Sequence, residues 1–198
     1  MEYVNLGEIC EIINGYNFKS SNYVSDGVRV IRITNVQQGY LEDKEPVYYS
    51  YSDEIKKYML EENDLLMSLT GNVGRVGLLN KSFLPAGLNQ RVACIRNVNS
   101  SFSTKFLFYY FNNELFRNKA ILNSNGVAQL NLSTEWLKKI KIPYFDKKMQ
   151  DQITEKFDKL TSLIEKNKNL INYLNNIVKS QFIEMFGNLQ NKVNVKEC

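Results

Sequence analysis

Few residues in this chain could carry chemistry. Histidine is absent from all 198 residues, and the three cysteines are far apart in the sequence (Cys10, Cys94 and Cys198). The absence of histidine excludes Ser-His-Asp and Cys-His catalysis and metal sites that need histidine. Glu54-Ile55-Lys56 has the Glu-x-Lys form of a magnesium-dependent nuclease, but such triplets are common by chance. We therefore expect no catalytic residue, no metal site and no cofactor.

The glycines and prolines also argue against a methyltransferase, which would carry a glycine-rich cofactor loop and, if it modified amino groups, an Asn/Asp-Pro-Pro-aromatic motif. None of the 3 prolines is adjacent to another. Gly71, Gly74 and Gly77 lack the spacing of a dinucleotide-binding loop and do not open a predicted helix. They are predicted to provide backbone geometry in a tight hairpin, with direct approach to a phosphate as the alternative.

The charge of the chain is unevenly distributed. Residues 1–64 carry 6 Lys/Arg and 12 Asp/Glu, whereas residues 65–150 carry 12 Lys/Arg and 3 Asp/Glu. A basic middle segment is typical of a protein that binds a polyanion such as DNA. The alternative is a set of solvated lysines on a helix face.

Side chains that could read base edges lie in and near this basic segment. Arg can donate two hydrogen bonds to guanine, and Asn or Gln can pair with adenine in the same way. The primary candidates for DNA contact are Arg75, Asn89, Gln90, Arg91, Gln129 and Asn131. Secondary candidates follow the Asn14-Gly15 turn, namely Tyr16, Asn17 and Lys19. Arg29, Arg32 and Arg96 are also of the right type, but strand alternation turns some side chains away and ion pairs could hold others.

The elements that position these residues are predicted to be mostly β up to about residue 100. The predicted strands cover 28–33, 64–69 and 87–96, with a short helix around 53–59. An aromatic-rich helix is expected over 105–123. Ser133 is predicted to cap a short helix over 134–139, which Pro143 prevents from continuing.

A long helix is predicted from about Met149 to Phe186, where apolar residues follow a heptad repeat. The a and d positions, which we expect to form a dimer contact, are Phe157, Leu160, Ile164, Asn167, Ile171, Leu174, Val178, Gln181 and Met185. Leu163, Leu170 and Ile177 widen the stripe at g. Some 38 residues rising 1.5 Å each give a rod of about 57 Å, too long to bury its stripe on a domain of this size. The stripe therefore predicts a partner helix.

Several segments together resemble the target-recognition domain of a Type I restriction–modification specificity subunit. No single segment is specific, but their order and spacing over residues 3–188 are. The segments are LGEICEIINGYNFKSSNY, VIRITNV, ENDLLMSLTGNVGRVG, LNQRVACIR, the aromatic helix, NGVAQLNLSTEWLKKIKIP, the Gln150–Ile153 start of the long helix and its closing FIEMFGN.

The resemblance implies an α+β fold and a division of the chain into three parts. Residues 1–146 would form a mostly-β DNA target-recognition domain, residues 147–187 a coiled-coil dimerisation and spacer helix, and residues 188–198 a loose tail. Complete members of the family carry two such units in tandem, and their helices pair antiparallel. They dock modification subunits that bind S-adenosylmethionine and methylate adenine, and a restriction subunit can join the complex.

This chain carries one unit, so it is either a half-length subunit that dimerises or a fragment of a longer one. We favour the half-length subunit, acting as an antiparallel homodimer on a palindromic, interrupted target. The competing hypothesis is an antirestriction decoy that binds modification subunits through its helix without reading DNA. No run of about 18 apolar residues and no basic-then-apolar N-terminus is present, so we expect a cytoplasmic protein without a membrane partner.

Overall fold

The computed structural model describes residues 2–126 and 129–187. It divides into two compact units, residues 1–154 (unit 1) and residues 155–198 (unit 2). The predicted tail, residues 188–198, lies outside the described residues. No helix among the described residues is long and apolar enough to cross a membrane.

Helices and strands are mixed in unit 1, as the α+β expectation requires. The helices are α1 (Leu6–Ile9), α2 (Thr104–Phe111), α3 (Glu114–Leu122), α4 (Thr134–Lys138) and α5 (Lys147–Phe186), which continues into unit 2. The strands are β1 (Tyr3–Asn5), β2 (Cys10–Asn14), β3 (Tyr23–Val24), β4 (Val28–Ile31), β5 (Tyr48–Tyr49), β6 (Leu65–Ser68), β7 (Val76–Leu78), β8 (Ala86–Leu88), β9 (Val92–Asn97) and β10 (Lys141–Pro143).

Two four-stranded sheets form the centre of unit 1. The first is antiparallel with the order β2-β9-β6-β7, and the second has the order β3-β5-β4-β8, in which β4 and β8 run parallel. β1 pairs with β10 and joins the start of the unit to the segment before α5.

The two central strands of the antiparallel sheet, β6 and β9, are buried on both faces, which explains why they contain continuous apolar runs. In β9, Ala93 and Ile95 pack toward the aromatic side chains of α2 and α3, whereas Val92 and Cys94 pack toward the second sheet. Because successive side chains of a strand point to opposite faces, a strand covered on both sides shows no polar alternation. Phe111 and Phe116 link the two helices, with ring centroids 4.7 Å apart.

The predicted strand over 87–96 is wrong as a single element. It is two strands, β8 and β9, which belong to different sheets. The Asn89 side chain accepts a hydrogen bond from the Arg91 backbone N–H at 3.2 Å, and the Val92 N–H donates to the Asn89 carbonyl at 2.9 Å. These bonds close a turn that carries the chain from one sheet to the other.

Three further elements differ from expectation, and in two of them a local side-chain hydrogen bond ends the element. The aromatic helix is broken after Phe111, since Asn113 caps α3 by accepting from the Phe116 N–H at 2.8 Å. The predicted strand 28–33 ends at Ile31, where the Asn35 side chain accepts from the Arg32 N–H. The predicted helix around 53–59 is only a 3₁₀ turn at Lys56–Tyr58. The Ser133 cap is confirmed, with the Glu135 N–H as donor.

The first turns of α5 belong to unit 1 and are fixed there by Gln150, which is fully buried. Its side-chain amide donates to the carbonyls of Ser101 and Phe145, both at 2.8 Å, and its oxygen accepts from the Ser103 N–H at 2.8 Å. All its hydrogen-bonding groups but one lone pair are therefore used, which makes a buried amide tolerable.

Candidate nucleic-acid interface

The four strands of the antiparallel sheet end together on one side. β2 ends at Asn14, opposite Ala93, and β6 ends at Ser68, opposite Val92. β7 begins at Val76, opposite Met67. The segments that continue from these ends therefore leave the sheet at one edge.

Backbone hydrogen bonds join these segments into one surface. The Tyr16 N–H donates to the Leu88 carbonyl at 2.7 Å, and the Leu69 N–H donates to the Arg91 carbonyl at 2.9 Å. The Leu132 N–H donates in turn to the Leu69 carbonyl at 2.7 Å. We call this surface the recognition edge; it comprises residues 15–19, 69–75, 89–91 and 129–131.

The second sheet adds a further segment to the recognition edge. β4 and β8 are parallel and end side by side at Ile31 and Leu88. The Asn89 N–H donates to the Ile31 carbonyl at 3.1 Å, so residues 32–34 lie next to the 89–91 turn. The ends of two sheets thus meet at one place.

All nine residues predicted to contact DNA lie on the recognition edge. The Gln90 side chain donates to the Asn17 side-chain oxygen at 3.0 Å, and the Thr70 hydroxyl donates to that of Asn131 at 3.2 Å. The side chains of Lys19, Gln90, Arg91, Gln129 and Asn131 are exposed. The structure brings these side chains together; their contact with DNA stays a prediction.

Two of the nine candidates are turned inward and are the weaker ones. The Tyr16 hydroxyl donates to the Glu54 carboxylate at 3.1 Å, and its ring packs against Phe18 and Tyr58. This hydrogen bond to Glu54 raises the pKa of Tyr16 above its usual value. Arg75 is half-buried and donates from Nη1 to the Gln37 side-chain oxygen at 3.0 Å.

The arginines divide into two classes that the sequence did not distinguish. Arg29 pairs with the carboxylate of Asp43, and Arg96 pairs with Asp64 at 2.7 Å and with Glu61 at 3.2 Å. The charges of Arg29 and Arg96 are therefore neutralised by ion pairs within the fold. Within the described residues no carboxylate pairs with the remaining four, Arg32, Arg75, Arg91 and Arg117. No carboxylate of the described residues therefore cancels the positive charge of these four arginines.

Arg32 and Arg117 are absent from the predicted contacts but lie next to this surface. Arg32 directly follows β4, and a strand-ending Arg before a polar turn was a usable signal. Arg117 lies on α3, and its Cα is 3.7 Å from the position that a Cβ on Gly74 would occupy. Nothing in the sequence near Arg117 indicates this proximity.

The glycines of the 69–77 segment have the predicted role in backbone geometry. Gly71 and Gly74 have φ angles of +70° and +77°, a region that other residues rarely adopt. A Cβ on Gly77 would lie 2.8 Å from the Leu41 side chain.

Among the described residues no group of His, Cys, Asp or Glu could hold a metal ion.

Comparison with known proteins identifies similar sequences and folds. The family model described as "Type I restriction modification DNA specificity domain" matches residues 1–176. The specificity subunit of the Type I restriction enzyme EcoAI from Escherichia coli is 33% identical over 177 residues, which are 86% of this chain and 30% of that protein. The MjaVIII specificity subunit from Methanocaldococcus jannaschii is 30% identical over 171 residues, 83% of this chain and 40% of that protein.

Solved structures share the fold. The HsdS subunit from Thermoanaerobacter tengcongensis matches with a TM-score of 0.63 at 20% identity, over 83% of this chain and 38% of that one. A chain from a study of assembly and conformational transition of the Type I R-M system matches with a TM-score of 0.65 at 21% identity, over 85% and 40%. The chain thus spans 30–40% of the length of these relatives.

Proposed function

The chain belongs to the family of Type I restriction modification DNA specificity domains, and we propose that it reads a DNA sequence for a Type I restriction–modification complex. The observation that carries this proposal is the position of the arginines. Arg32, Arg75, Arg91 and Arg117 have no carboxylate partner among the described residues and lie on or beside the recognition edge, which also carries exposed Asn and Gln side chains. Positive charge attracts the phosphates, and amides and arginines have the donor patterns that distinguish bases.

Exposed side chains at the tip of the recognition edge are assigned to base reading. Gln90 and Arg91 lie on the 89–91 turn, which the Asn89 side chain holds in one conformation. Asn131 lies beside them; its own backbone exchanges two hydrogen bonds with Asn125, and the N–H of the next residue, Leu132, donates to the Leu69 carbonyl. Rigid backbone under an exposed side chain reduces the conformational entropy lost on binding.

The test measures target choice. The chain, assembled with its modification subunits, selects its preferred site from a randomised duplex library, and binding is then compared for Gln90→Ala, Arg91→Ala and Asn131→Ala. Each base-reading side chain should contribute about 1–3 kcal/mol, and its loss should relax one position of the site. Lys81→Ala is the matched control, since Lys81 is exposed and follows β7 at the opposite end of the sheet.

Two results would contradict the assignment in different ways. If the three variants bind the same sequence with unchanged affinity, the recognition edge is misplaced. If the wild-type assembly binds its modification subunits but selects no sequence, the chain is a decoy and not a reader. Sequencing the methylome of cells with and without the gene gives the same answer in vivo.

The chain is proposed to do no chemistry of its own. Glu54 accepts a hydrogen bond from Tyr16 and has no cluster of carboxylates around it in the described structure. The purified chain should neither cleave nor methylate DNA with magnesium and S-adenosylmethionine, and methylation should appear when the modification subunit is added. Cleavage by the pure chain that Glu54→Ala abolishes would refute this.

The long helix is proposed to pair with a second copy of itself. In unit 2 the apolar a and d residues are exposed, with Ile164 at 56%, Ile171 at 57% and Val178 at 65%. Burying apolar surface contributes about 25 cal/mol per Å², so an isolated helix of this kind favours association. We propose an antiparallel pair, which sets the N-terminal ends of the two helices apart and, through its two-fold axis, implies a palindromic target with an interruption.

Cysteine crosslinking distinguishes the two helix directions. Asn167 is close to the middle of the helix and meets its own copy in either direction. Gln181 meets its own copy only in a parallel pair, whereas in a fully overlapped antiparallel pair it lies near Ile153 and Thr154. A disulfide between two copies of Gln181→Cys, without cross-pairing of Gln181→Cys with Ile153→Cys, would exclude the antiparallel arrangement.

A further inference from the structure

A cleft of about 440 Å³ opens where the ends of the two sheets meet. Arg32 and Thr34, which follow β4, line it together with Asn17, Asn89, Gln90 and Arg91. Because these residues come from three chain segments joined by backbone hydrogen bonds, the cleft is a fixed feature of the fold.

The charge of the cleft is positive. No Asp or Glu occurs among the described residues that line it. Arg32 donates from Nη2 to the Glu45 backbone carbonyl at 2.7 Å, and its Nε is buried without a hydrogen-bond partner in the described structure. A neutral carbonyl orients the guanidinium without cancelling its charge. Glu42 and Glu45 line an adjoining cleft that Arg32 also lines. Neither carboxylate forms an ion pair with Arg32 in the described structure, and Glu42 pairs with Lys44.

The recess of the cleft suits a different part of the DNA from the exposed side chains of the 89–91 turn, which forms part of its wall. Base edges lie at the bottom of a groove, so a protein reads them with parts that protrude, such as the exposed Gln90 and Arg91. Phosphates stand out from the duplex and fit a recess. An arginine fork in that recess matches the geometry of phosphate oxygens.

We propose that this cleft binds one phosphate of the DNA backbone, with Arg32 as its main ligand. The bound phosphate sets the register of the duplex, and the 89–91 turn and the 129–131 segment then read bases. This inference rests on the proposed DNA-reading function and divides the recognition edge into an anchoring part and a reading part.

The first experiment measures the salt dependence of DNA binding by the assembled complex. Arg32→Ala should weaken binding to the selected site and to unrelated duplex by the same factor. It should also make the slope of log K against log[salt] shallower by about 1, the value for one lost phosphate contact. Arg32→Lys keeps the charge and should keep the slope. Lys81→Ala, at the far end of the sheet, should leave the slope unchanged.

The second experiment identifies the phosphate. Methylphosphonate, which is uncharged, replaces the phosphates of the selected duplex one at a time. At one position the substitution should weaken wild-type binding but have no further effect on Arg32→Ala, because the partner is already missing. At every other position the substitution should change the affinity of wild type and of Arg32→Ala by the same factor.

Three results overturn the inference without touching the proposed function. In the first, Arg32→Ala relaxes the preference at one base pair with the slope unchanged, so that Arg32 reads a base. In the second, no methylphosphonate position is silent in Arg32→Ala. In the third, Arg32→Ala and Arg32→Lys lower the melting temperature equally and leave DNA binding intact, so that Arg32 serves only to hold the Glu45 carbonyl. A wild-type complex that selects no sequence overturns the proposed function itself.

Discussion

Replacing Gln150 by alanine should destabilise unit 1 by about 2–4 kcal/mol. The side chain is fully buried and makes three hydrogen bonds, two to backbone carbonyls and one from a backbone N–H. Each such bond contributes a net 0.5–1.5 kcal/mol or so, and alanine leaves all three backbone partners without the group that satisfies them. The helix propensity of alanine offsets less than about 0.5 kcal/mol.

The assay is urea unfolding of the whole chain at equilibrium, with the free energy of unfolding extrapolated to water. Gln152→Ala is the matched control, because Gln152 lies two residues along the same helix and is exposed. That variant should differ from wild type by less than about 0.5 kcal/mol, as is usual for surface substitutions. If Gln150→Ala is as stable as Gln152→Ala, the bonds of Gln150 do not hold the first turns of α5 to the loop before α2.

Three further predictions concern the core and the helix. Ile164→Lys should convert dimers to monomers in sedimentation while unit 1 stays folded; a dimeric variant would contradict pairing through the a and d stripe. Arg96→Ala should cost about 3–5 kcal/mol in urea unfolding, because Asp64, with 4% of its side chain exposed, loses its ion-pair partner; a loss below 1 kcal/mol would show that Asp64 finds water. Burial raises the pKa of Cys10 to about 12 and that of Cys94 still further. At pH 8 both thiols should therefore stay protonated and unreactive toward thiol reagents until urea unfolds the chain, measured in a Cys198→Ser background; labelling of the native chain would contradict their burial.

Much of the local structure follows from the sequence because its causes are local. Ser133 caps α4 through a neighbour two residues away, and the apolar residues of α5 repeat within a few turns of one helix. The strand at β6 was expected for the same reason. The absence of histidine is a property of composition, so the exclusion of histidine-dependent chemistry needs no fold.

The breaks within elements were harder to predict, since they depend on competition between similar local energies. The segment 105–123 has a helical pattern throughout, yet capping by Asn113 divides it. The segment 87–96 reads as one strand because β8 and the first four residues of β9 are all buried and apolar. Only the existence of two sheets explains the turn between them.

The composition of the recognition edge was decided by tertiary structure alone. Arg29 and Arg32 are three residues apart and equal in type, but Arg29 pairs with the Asp43 carboxylate, whereas Arg32 donates to the backbone carbonyl of Glu45 and pairs with no carboxylate of the described residues. Arg96 forms an ion pair with Asp64, 32 residues away in the sequence, and so is not available for DNA contact. Arg117, on α3, lies near the edge because the chain packs against it at Gly74. The sequence determines how many arginines, asparagines and glutamines the chain possesses. Which of them keep a free charge or a free amide depends on long-range packing, because an ion pair forms only where the fold brings a carboxylate within about 4 Å.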